Sequence, residues 1–218
     1  YVFTPQEGDA MSIQEELQSA IKAALPDVTC VIGWGEGPEP LRGAPLFMRT
    51  PEDVAGFRSG YFAVNNPALF LPEYKGVKVG IVVKGCDARS VGQLLAEGLI
   101  KREEVKVIGF PCKGVIDVDK VDTALRGVCE PGEVRAVRDE GDEVVLSAPT
   151  GEIRLKKADV TADKCARCMY PNAVDADVFV GEKRNPTVST DDYADLAAFE
   201  AMPLEERMAF WEKEMSRC

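Results

Sequence analysis

The sequence predicts an α/β fold with a parallel-sheet core and crossover helices, a small antiparallel β insertion and a C-terminal helical pair. Three observations lead to this prediction. A strand, a helix and a second strand follow one another between residues 77 and 110, short alternating segments lie between 133 and 155, and two helical segments lie near the C-terminus. A strand-helix-strand unit forms a parallel pair with a right-handed crossover.

The N-terminal region predicts a helix and a short strand. Ser12 and Glu15 have the capping-box spacing, and the amphipathic run after them continues to about Leu25. Residues 28–32 then predict an apolar strand. The Gly- and Pro-rich segment 33–40 resembles a dinucleotide fingerprint in its glycine spacing, but its prolines disfavour the helix that such a motif requires. We therefore expect a plain turn there.

The centre of the chain carries the strongest pattern. Val77–Val83 and Val105–Phe110 are mainly apolar segments typical of buried strands, and Ala88–Leu99 has apolar residues at helical spacing. Each strand is followed by a short segment that contains a cysteine, Lys84-Gly85-Cys86-Asp87 after the first and Pro111-Cys112-Lys113-Gly114 after the second.

Downstream, the periodicity changes from helical to alternating. Three short alternating segments separated by turn residues predict an antiparallel meander, and they are Glu133–Val137, Val144–Leu146 and Ile153–Leu155. Two helices are expected at about Asp191–Ala201 and from Pro203 to about Arg217. We thus divide the chain into an α/β domain, residues 1–185 with the insertion at about 131–157, and a helical extension, residues 186–218.

Composition excludes several classes of protein. The chain of 218 residues has 37 acidic and 26 basic residues and a net charge of −11, which disfavours a nucleic-acid partner. It has no apolar run of the roughly 20 residues that span a membrane, and its N-terminus does not have the layout of a signal peptide. We expect a cytoplasmic protein without a membrane span.

The chain has no histidine and seven cysteines. The absence of histidine excludes Ser-His-Asp and Cys-His nucleophile systems and mixed Cys/His zinc sites. An odd number of cysteines without an export signal is poor material for a disulfide framework, so thiolate metal binding or redox chemistry is favoured.

Four of the cysteines form a candidate metal site. Cys86 and Cys112 follow neighbouring parallel strands, whose carboxyl ends lie at one edge of the sheet, and Cys165 and Cys168 form a CxxC pair. Four thiolates suit a 4Fe–4S cluster or a four-cysteine zinc site. The alternative is that Cys86 and Cys112 are small buried residues that serve packing alone. A thioredoxin-like use of the CxxC is disfavoured, because no helix signal follows it.

The remaining candidates are less specific. Cys30 is expected in the core, and Cys129 is an alternative ligand. Arg89 and Lys113 are candidate cofactor-binding residues, because cations near a cluster of four thiolates stabilise its negative charge; the alternative is that both are solvated surface residues.

The motifs resemble those of a known family. Lys84 to Ser90, Ile108 to Gly114, the CxxC pair with Pro171-Asn172, and Val180-Gly181-Glu182 together resemble the coenzyme F420 hydrogenase/dehydrogenase beta-subunit family. The likeness covers about Val77 to Cys218 and is strongest to the branch associated with heterodisulfide-reductase-like complexes of anaerobes.

The resemblance implies a cofactor and partners. It implies that Cys86, Cys112, Cys165 and Cys168 bind a 4Fe–4S cluster, and it allows FAD as a second cofactor. It also implies partner subunits of a heterodisulfide-reductase-like or hydrogenase-like complex. Longer members of the branch continue into a ferredoxin-like module, of which Cys218 would be the first cysteine and which this chain is expected to lack.

The sequence therefore predicts an iron–sulfur electron-transfer subunit or domain of an oxidoreductase complex. Two alternatives stay open at this point. One is a structural zinc module with four cysteine ligands, and the other is a flavin-dependent oxidoreductase that transfers hydride.

Overall fold

The computed structural model describes residues 12–186 and 193–216, and the chain divides into two compact units, Tyr1–Thr187 and Val188–Cys218. The strands described in the first unit are β1 (Val31–Glu39), β2 (Arg42–Met48), β3 (Val79–Val83), β4 (Val105–Gly109), β5 (Ala136–Glu140), β6 (Glu143–Ala148), β7 (Gly151–Lys156) and β8 (Val178–Phe179). Its helices are α1 (Ile13–Ala24), α2 (Gly85–Ala96), α3 (Val118–Leu125), α4 (Lys157–Val160) and α5 (Asp163–Ala166).

The main sheet has the strand order β2-β1-β3-β4-β8. Strands β1, β3, β4 and β8 are parallel, whereas β2 pairs with β1 in the antiparallel direction. A second sheet of order β5-β6-β7 is antiparallel throughout. The predicted α/β class, with its crossover helix and its small antiparallel insertion, is therefore confirmed.

Alternation along the central strands builds two apolar layers. Val82 of β3 packs in one cluster with Leu17 and Ile21 of α1, whereas Ile81 packs in the other with Val91 of α2. Successive side chains of a strand point to opposite faces, so α1 and α2 cover opposite sides of the main sheet. A third cluster joins α3 to the inner face of the β5–β7 sheet.

Helix α1 begins where its capping residues predict. The Ser12 hydroxyl accepts from the Glu15 N–H at 3.4 Å, and the Glu15 carboxylate accepts from the Ser12 N–H at 2.9 Å. The helix ends at Ala24, close to the predicted end at Leu25, and Leu25–Asp27 form one 3₁₀ turn that contains Pro26.

The turn predicted at residues 33–40 is wrong, because β1 continues through this segment to Glu39. Pairing with β3 involves only Val31 and Ile32, whereas pairing with β2 continues to Glu39 with a register shift after Gly35. Proline is tolerated in a strand at such an irregularity or along an open edge. The glycines allow close approach: a Cβ on Gly37 would lie 1.8 Å from the Arg42 carbonyl oxygen.

The second unit contains α6 (Ala194–Ala201) and α7 (Leu204–Met215). Phe199 of α6 meets Phe210 and Trp211 of α7 edge to face, with ring centroids 5.1 and 5.9 Å apart. Such contacts add to the burial of apolar area and hold the two helices together. The C-terminal helical pair predicted from the sequence is therefore present.

None of the helices in the described residues is long and apolar enough to cross a membrane.

Candidate metal centre

Cys86 and Cys112 occupy equivalent positions on the sheet. Val83 of β3 pairs in register with Gly109 of β4, and each of the two cysteines stands three residues beyond its member of this pair. Because the strands are parallel, both cysteines lie beyond the same carboxyl edge, where open α/β sheets carry their ligand sites.

Cys86 is in the first turn of α2, which begins at Gly85, three residues earlier than the sequence predicts. The helix can begin there because the Asp87 carboxylate accepts the Lys84 N–H at 3.0 Å. Cys86 is exposed on one side, but desolvation by the surrounding chain and then the Asp87 carboxylate raise the pKa of its thiol to about 11, whereas Lys84 and Lys164 lower it. A thiol with this pKa is protonated at neutral pH and is a poor nucleophile, which disfavours thiol–disulfide chemistry.

Cys112 is fixed by three hydrogen bonds. Its N–H donates to the Pro171 carbonyl at 2.7 Å, its Sγ accepts the Gly114 N–H at 3.3 Å, and its carbonyl accepts from Arg184 Nη1 at 2.9 Å. Burial raises the pKa of the Cys112 thiol, and the nearby Cys165 and Asp87 raise it further, whereas the Gly114 N–H and Lys84 lower it.

The CxxC segment begins at the end of α5. Cys165 is in that helix, and the Cys168 N–H donates to the Cys165 carbonyl at 3.2 Å. A Cβ added to Gly114 would lie 3.4 Å from the Cys165 Cβ, so the backbone beyond Cys112 is in close contact with Cys165. Gly114 has a φ of +101°, which side-chain-bearing residues rarely adopt.

Residues 170–172, just after the CxxC pair, pack against the start of α2. A Cβ on Gly85 would lie 1.9 Å from the Tyr170 carbonyl oxygen and 2.9 Å from that of Asn172. On its other side, Asn172 forms an antiparallel bridge with Pro111. The segment that carries Cys168 is thus held between the start of α2 and the loop after β4.

These contacts bring the three cysteine-bearing segments together without arranging their side chains as a finished ligand shell. Among residues 12–186 and 193–216, no group of three or more Cys, Asp or Glu side chains is close enough to hold a metal ion as it stands. The donor set nevertheless fits a 4Fe–4S cluster in its chemistry, because it offers four thiols and a backbone N–H donor to sulfur.

The two predicted cofactor-binding cations lie in different surroundings. The Arg89 guanidinium stacks over the Tyr170 ring, 3.9 Å from its centroid, and so contacts the segment just after Cys168. Lys113 is exposed, next to Cys112 in the chain. Arg89 therefore contacts the CxxC segment indirectly, through the Tyr170 ring. Lys113 is near the site because it follows Cys112 in the chain.

Sequence reasoning did not predict several contacts that shape this edge. Lys84, a cation expected near the cysteines, and Asp87 are both buried and form an ion pair of 3.0 Å. Arg184 contacts Cys112, and its backbone forms two hydrogen bonds with the Asn172 side chain, of 2.7 and 2.9 Å. The sequence Lys-Gly-Cys-Asp could have signalled the ion pair, because i,i+3 spacing at a helix start brings such groups together. No local signal points to Arg184.

The remaining cysteines lie elsewhere or outside the described residues. Cys30 is fully buried in the layer covered by α2, as expected for a core residue. Cys129 is half-buried and packs against the cluster beneath the β5–β7 sheet. Cys218, the expected first cysteine of a further module, is outside the described part of the chain.

Comparison with known proteins gives a match to a family model and a similarity to solved structures. The model of the family described as the C terminus of the coenzyme F420 hydrogenase/dehydrogenase beta subunit matches residues 76–195, more than half of the chain. The fold is similar to a chain in the F420-reducing NiFe hydrogenase complex from Methanosarcina barkeri, with a TM-score of 0.56 and 18% identity. This similarity covers 73% of the present chain and 62% of that chain, so the present chain spans less than two thirds of its structural relative. No curated protein matches the sequence.

Proposed function

Because the chain belongs to the coenzyme F420 hydrogenase/dehydrogenase beta-subunit family, and is therefore a component of the oxidoreductase type, we propose that it transfers electrons within a larger redox assembly. We propose further that Cys86, Cys112, Cys165 and Cys168 bind a 4Fe–4S cluster at the carboxyl edge of the main sheet. When bound, such a cluster supplies reversible one-electron transfer.

One observation carries the proposal more than any other. The register pair Val83–Gly109 places Cys86 and Cys112 at equivalent positions, and the hydrogen bond from Cys112 to Pro171 brings the CxxC segment to the same edge. Backbone contacts join the three segments that carry the four predicted ligands, and the chain has no histidine that could compete as a ligand. That donor set is the one on which iron–sulfur clusters are built.

The chain's own groups would act on the bound thiolates in three ways. The Gly114 N–H donates to the Cys112 sulfur, and such bonds stabilise negative charge on sulfur. Lys84 and Lys164 place positive charge near Cys86. Arg89, through its stack on Tyr170, would hold the CxxC segment in place, and Lys113 would add positive charge beside Cys112.

Partner subunits are part of the proposal. The similar structure belongs to a hydrogenase complex, and a one-electron carrier needs a donor and an acceptor. A complex of the hydrogenase or heterodisulfide-reductase type supplies both. FAD is not part of this proposal, because neither match supports it.

Anaerobic reconstitution of the chain with iron and sulfide tests the proposal. We expect about four iron atoms and four sulfides per chain and a brown colour that dithionite bleaches. Replacement of each predicted ligand by serine, one at a time, is expected to lower the iron content strongly. Cys129→Ser and Cys30→Ala are matched controls. Each removes a thiol elsewhere in the chain and should leave the iron content unchanged.

Two outcomes would contradict the proposal. A colourless protein with one tightly bound zinc per chain would make the four cysteines a structural zinc site. Loss of iron in Cys129→Ser together with full iron content in one of the four predicted ligand variants would show that the ligand set is wrong.

A further inference from the structure

A buried ion pair lies at the edge of the sheet beside Cys86. Lys84 and Asp87 are each 2% exposed, and they are the only charged residues that are buried in the described part of the chain. Removing two charges from water is unfavourable, and a salt bridge often does not recover that energy. The placement of this pair directly around a predicted ligand therefore calls for a role beyond stability.

The ammonium group of Lys84 is enclosed on three sides. Its Nζ lies 3.0 Å from Asp87 Oδ2, 2.7 Å from the Ala63 carbonyl oxygen and 4.0 Å from the centroid of the Trp34 ring. The Trp34 indole N–H donates to the Asn65 carbonyl at 2.8 Å, which fixes the ring. The positive charge is thus held in one position, away from water.

The Asp87 carboxylate has two different environments. Oδ2 accepts from the Lys84 backbone N–H and from its ammonium, both at 3.0 Å, whereas Oδ1 lies 3.8 Å from Cys86 Sγ. Capping the helix requires only an acceptor for the Lys84 N–H, which a neutral side chain provides at many helix starts. Capping therefore does not explain why residue 87 is charged, or why a buried lysine balances that charge.

We propose that Lys84 and Asp87 are a pair of tuning residues that act through Cys86, Lys84 stabilising and Asp87 opposing negative charge on the sulfur ligands. This inference rests on the proposed function, since the charge it concerns is that of the bound cluster. Reduction adds one negative charge beside Asp87, whose Oδ1 lies 3.8 Å from the Cys86 sulfur. Cys86 itself is exposed, but the charges of Lys84 and Asp87 are buried, and buried charges act on their neighbours more strongly than solvated ones.

The two members of the pair have opposite predicted effects on the midpoint potential of the reconstituted protein. Asp87→Asn keeps a capping acceptor and removes the negative charge, so the potential should rise. Lys84→Met removes the positive charge and leaves Asp87 unbalanced, so the potential should fall and the iron content should decrease. Lys84→Arg keeps the charge and should restore most of both values.

A potentiometric titration of wild type, the three single variants and the double variant Lys84→Met/Asp87→Asn tests this inference. The midpoint potential of the double variant should be closer to that of wild type than the potential of Lys84→Met or of Asp87→Asn. The matched control is the ion pair of Lys106 with Asp27, 3.0 Å long and at the other end of β4. Lys106→Met and Asp27→Asn should leave the potential unchanged. If Lys84→Met does not fold, Asp87→Asn, which retains the cap, decides the question by itself.

The results separate the two proposals. Full iron and sulfide content with a potential that Asp87→Asn does not raise would overturn the tuning role and leave the proposed function intact. If the midpoint potential shifted in the same direction in Lys84→Met and Asp87→Asn, the tuning role would also be overturned. Removal of opposite charges has to shift the potential in opposite directions, whereas a general structural disturbance does not. A wild-type chain that binds no iron and sulfide would overturn the proposed function and this inference together.

Discussion

The backbone N–H of Cys112 donates a 2.7 Å hydrogen bond to the carbonyl oxygen of Pro171. This bond joins the loop after β4 to the segment that follows the CxxC pair, and the neighbouring bridge between Pro111 and Asn172 extends the contact. The backbone therefore holds the cysteine-bearing segments together. In the proposed metal centre, binding of the metal would bring the four cysteine side chains into their final positions.

The close contact between Gly85 and Tyr170 predicts a strong effect of a single methyl group. In Gly85→Ala the new Cβ would lie 1.9 Å from the Tyr170 carbonyl oxygen, so the CxxC segment has to move away from α2. We expect a loss of about 1–3 kcal/mol in the free energy of unfolding and a large decrease in iron content, measured by urea denaturation and iron analysis.

Gly92 on the same helix provides the matched control. A Cβ there has no neighbour within 4 Å, so Gly92→Ala should stabilise the protein by about 0.5–1 kcal/mol with normal iron content. Equal effects of the two substitutions would show that the Gly85 contact has no special importance.

The Arg89–Tyr170 stack should slow the release of the cluster. A cation–π contact near the surface is worth about 0.5–1 kcal/mol, so Arg89→Ala should release iron to a chelator about two to five times faster. Tyr170→Ala should show the same increase, whereas Tyr170→Phe, which retains a ring, should behave as wild type. A wild-type rate for Arg89→Ala would remove this residue from the site.

The hydroxyl of Tyr61 should stabilise the turn before α5. It lies 2.7 Å from Thr161 Oγ1 in a buried position, and burial raises the pKa of the Tyr61 phenol. Tyr61→Phe should lower the free energy of unfolding by about 1 kcal/mol. In a double-mutant cycle with Thr161→Val the two effects should be smaller together than their sum, and strict additivity would argue against the bond.

We expect the Asp177 carboxylate to contribute to the free energy of unfolding in a way that is lost in acid. Burial alone would raise the pKa of its carboxyl group, but Arg102 at 2.7 Å and the Val107 N–H at 2.6 Å lower it below the ordinary value. The carboxylate therefore stabilises the folded state fully above the unfolded-state pKa of about 4, and this contribution is lost as the pH falls through the lower, folded-state pKa.

The variant Asp177→Asn makes this contribution measurable. Its deficit in the free energy of unfolding relative to wild type should be constant near neutral pH and should shrink as the solution is acidified below about pH 4. A deficit that does not change with pH would mean that the ionised form of Asp177 has no special role.

The central strands and the cysteine pattern could be predicted from the sequence because they depend on local order. Val79–Val83 is apolar throughout, Val105–Gly109 is apolar except for Lys106, and a helix of clear periodicity separates them. Parallel pairing then places the following cysteines at one edge whatever the details of the loops. The antiparallel insertion could also be predicted, since its turns carry typical turn residues.

The errors and omissions have physical causes. The extension of β1 through Gly37 and Pro38 depends on pairing with β2 after a register shift. Glycine and proline are typical turn residues, so their presence gives no sign of this pairing. The burial of Lys84 depends on Trp34 and Ala63, and the contact of Arg184 with Cys112 joins segments far apart in the chain. Long-range contacts of this kind leave no periodic signal in a single sequence.

Anomalous scattering at the iron absorption edge, from crystals of the anaerobically reconstituted chain, tests the proposed cluster site most directly. We expect one cluster of iron peaks, bonded to the sulfur atoms of Cys86, Cys112, Cys165 and Cys168. An iron-free map, or iron bound by any other set of residues, would contradict it.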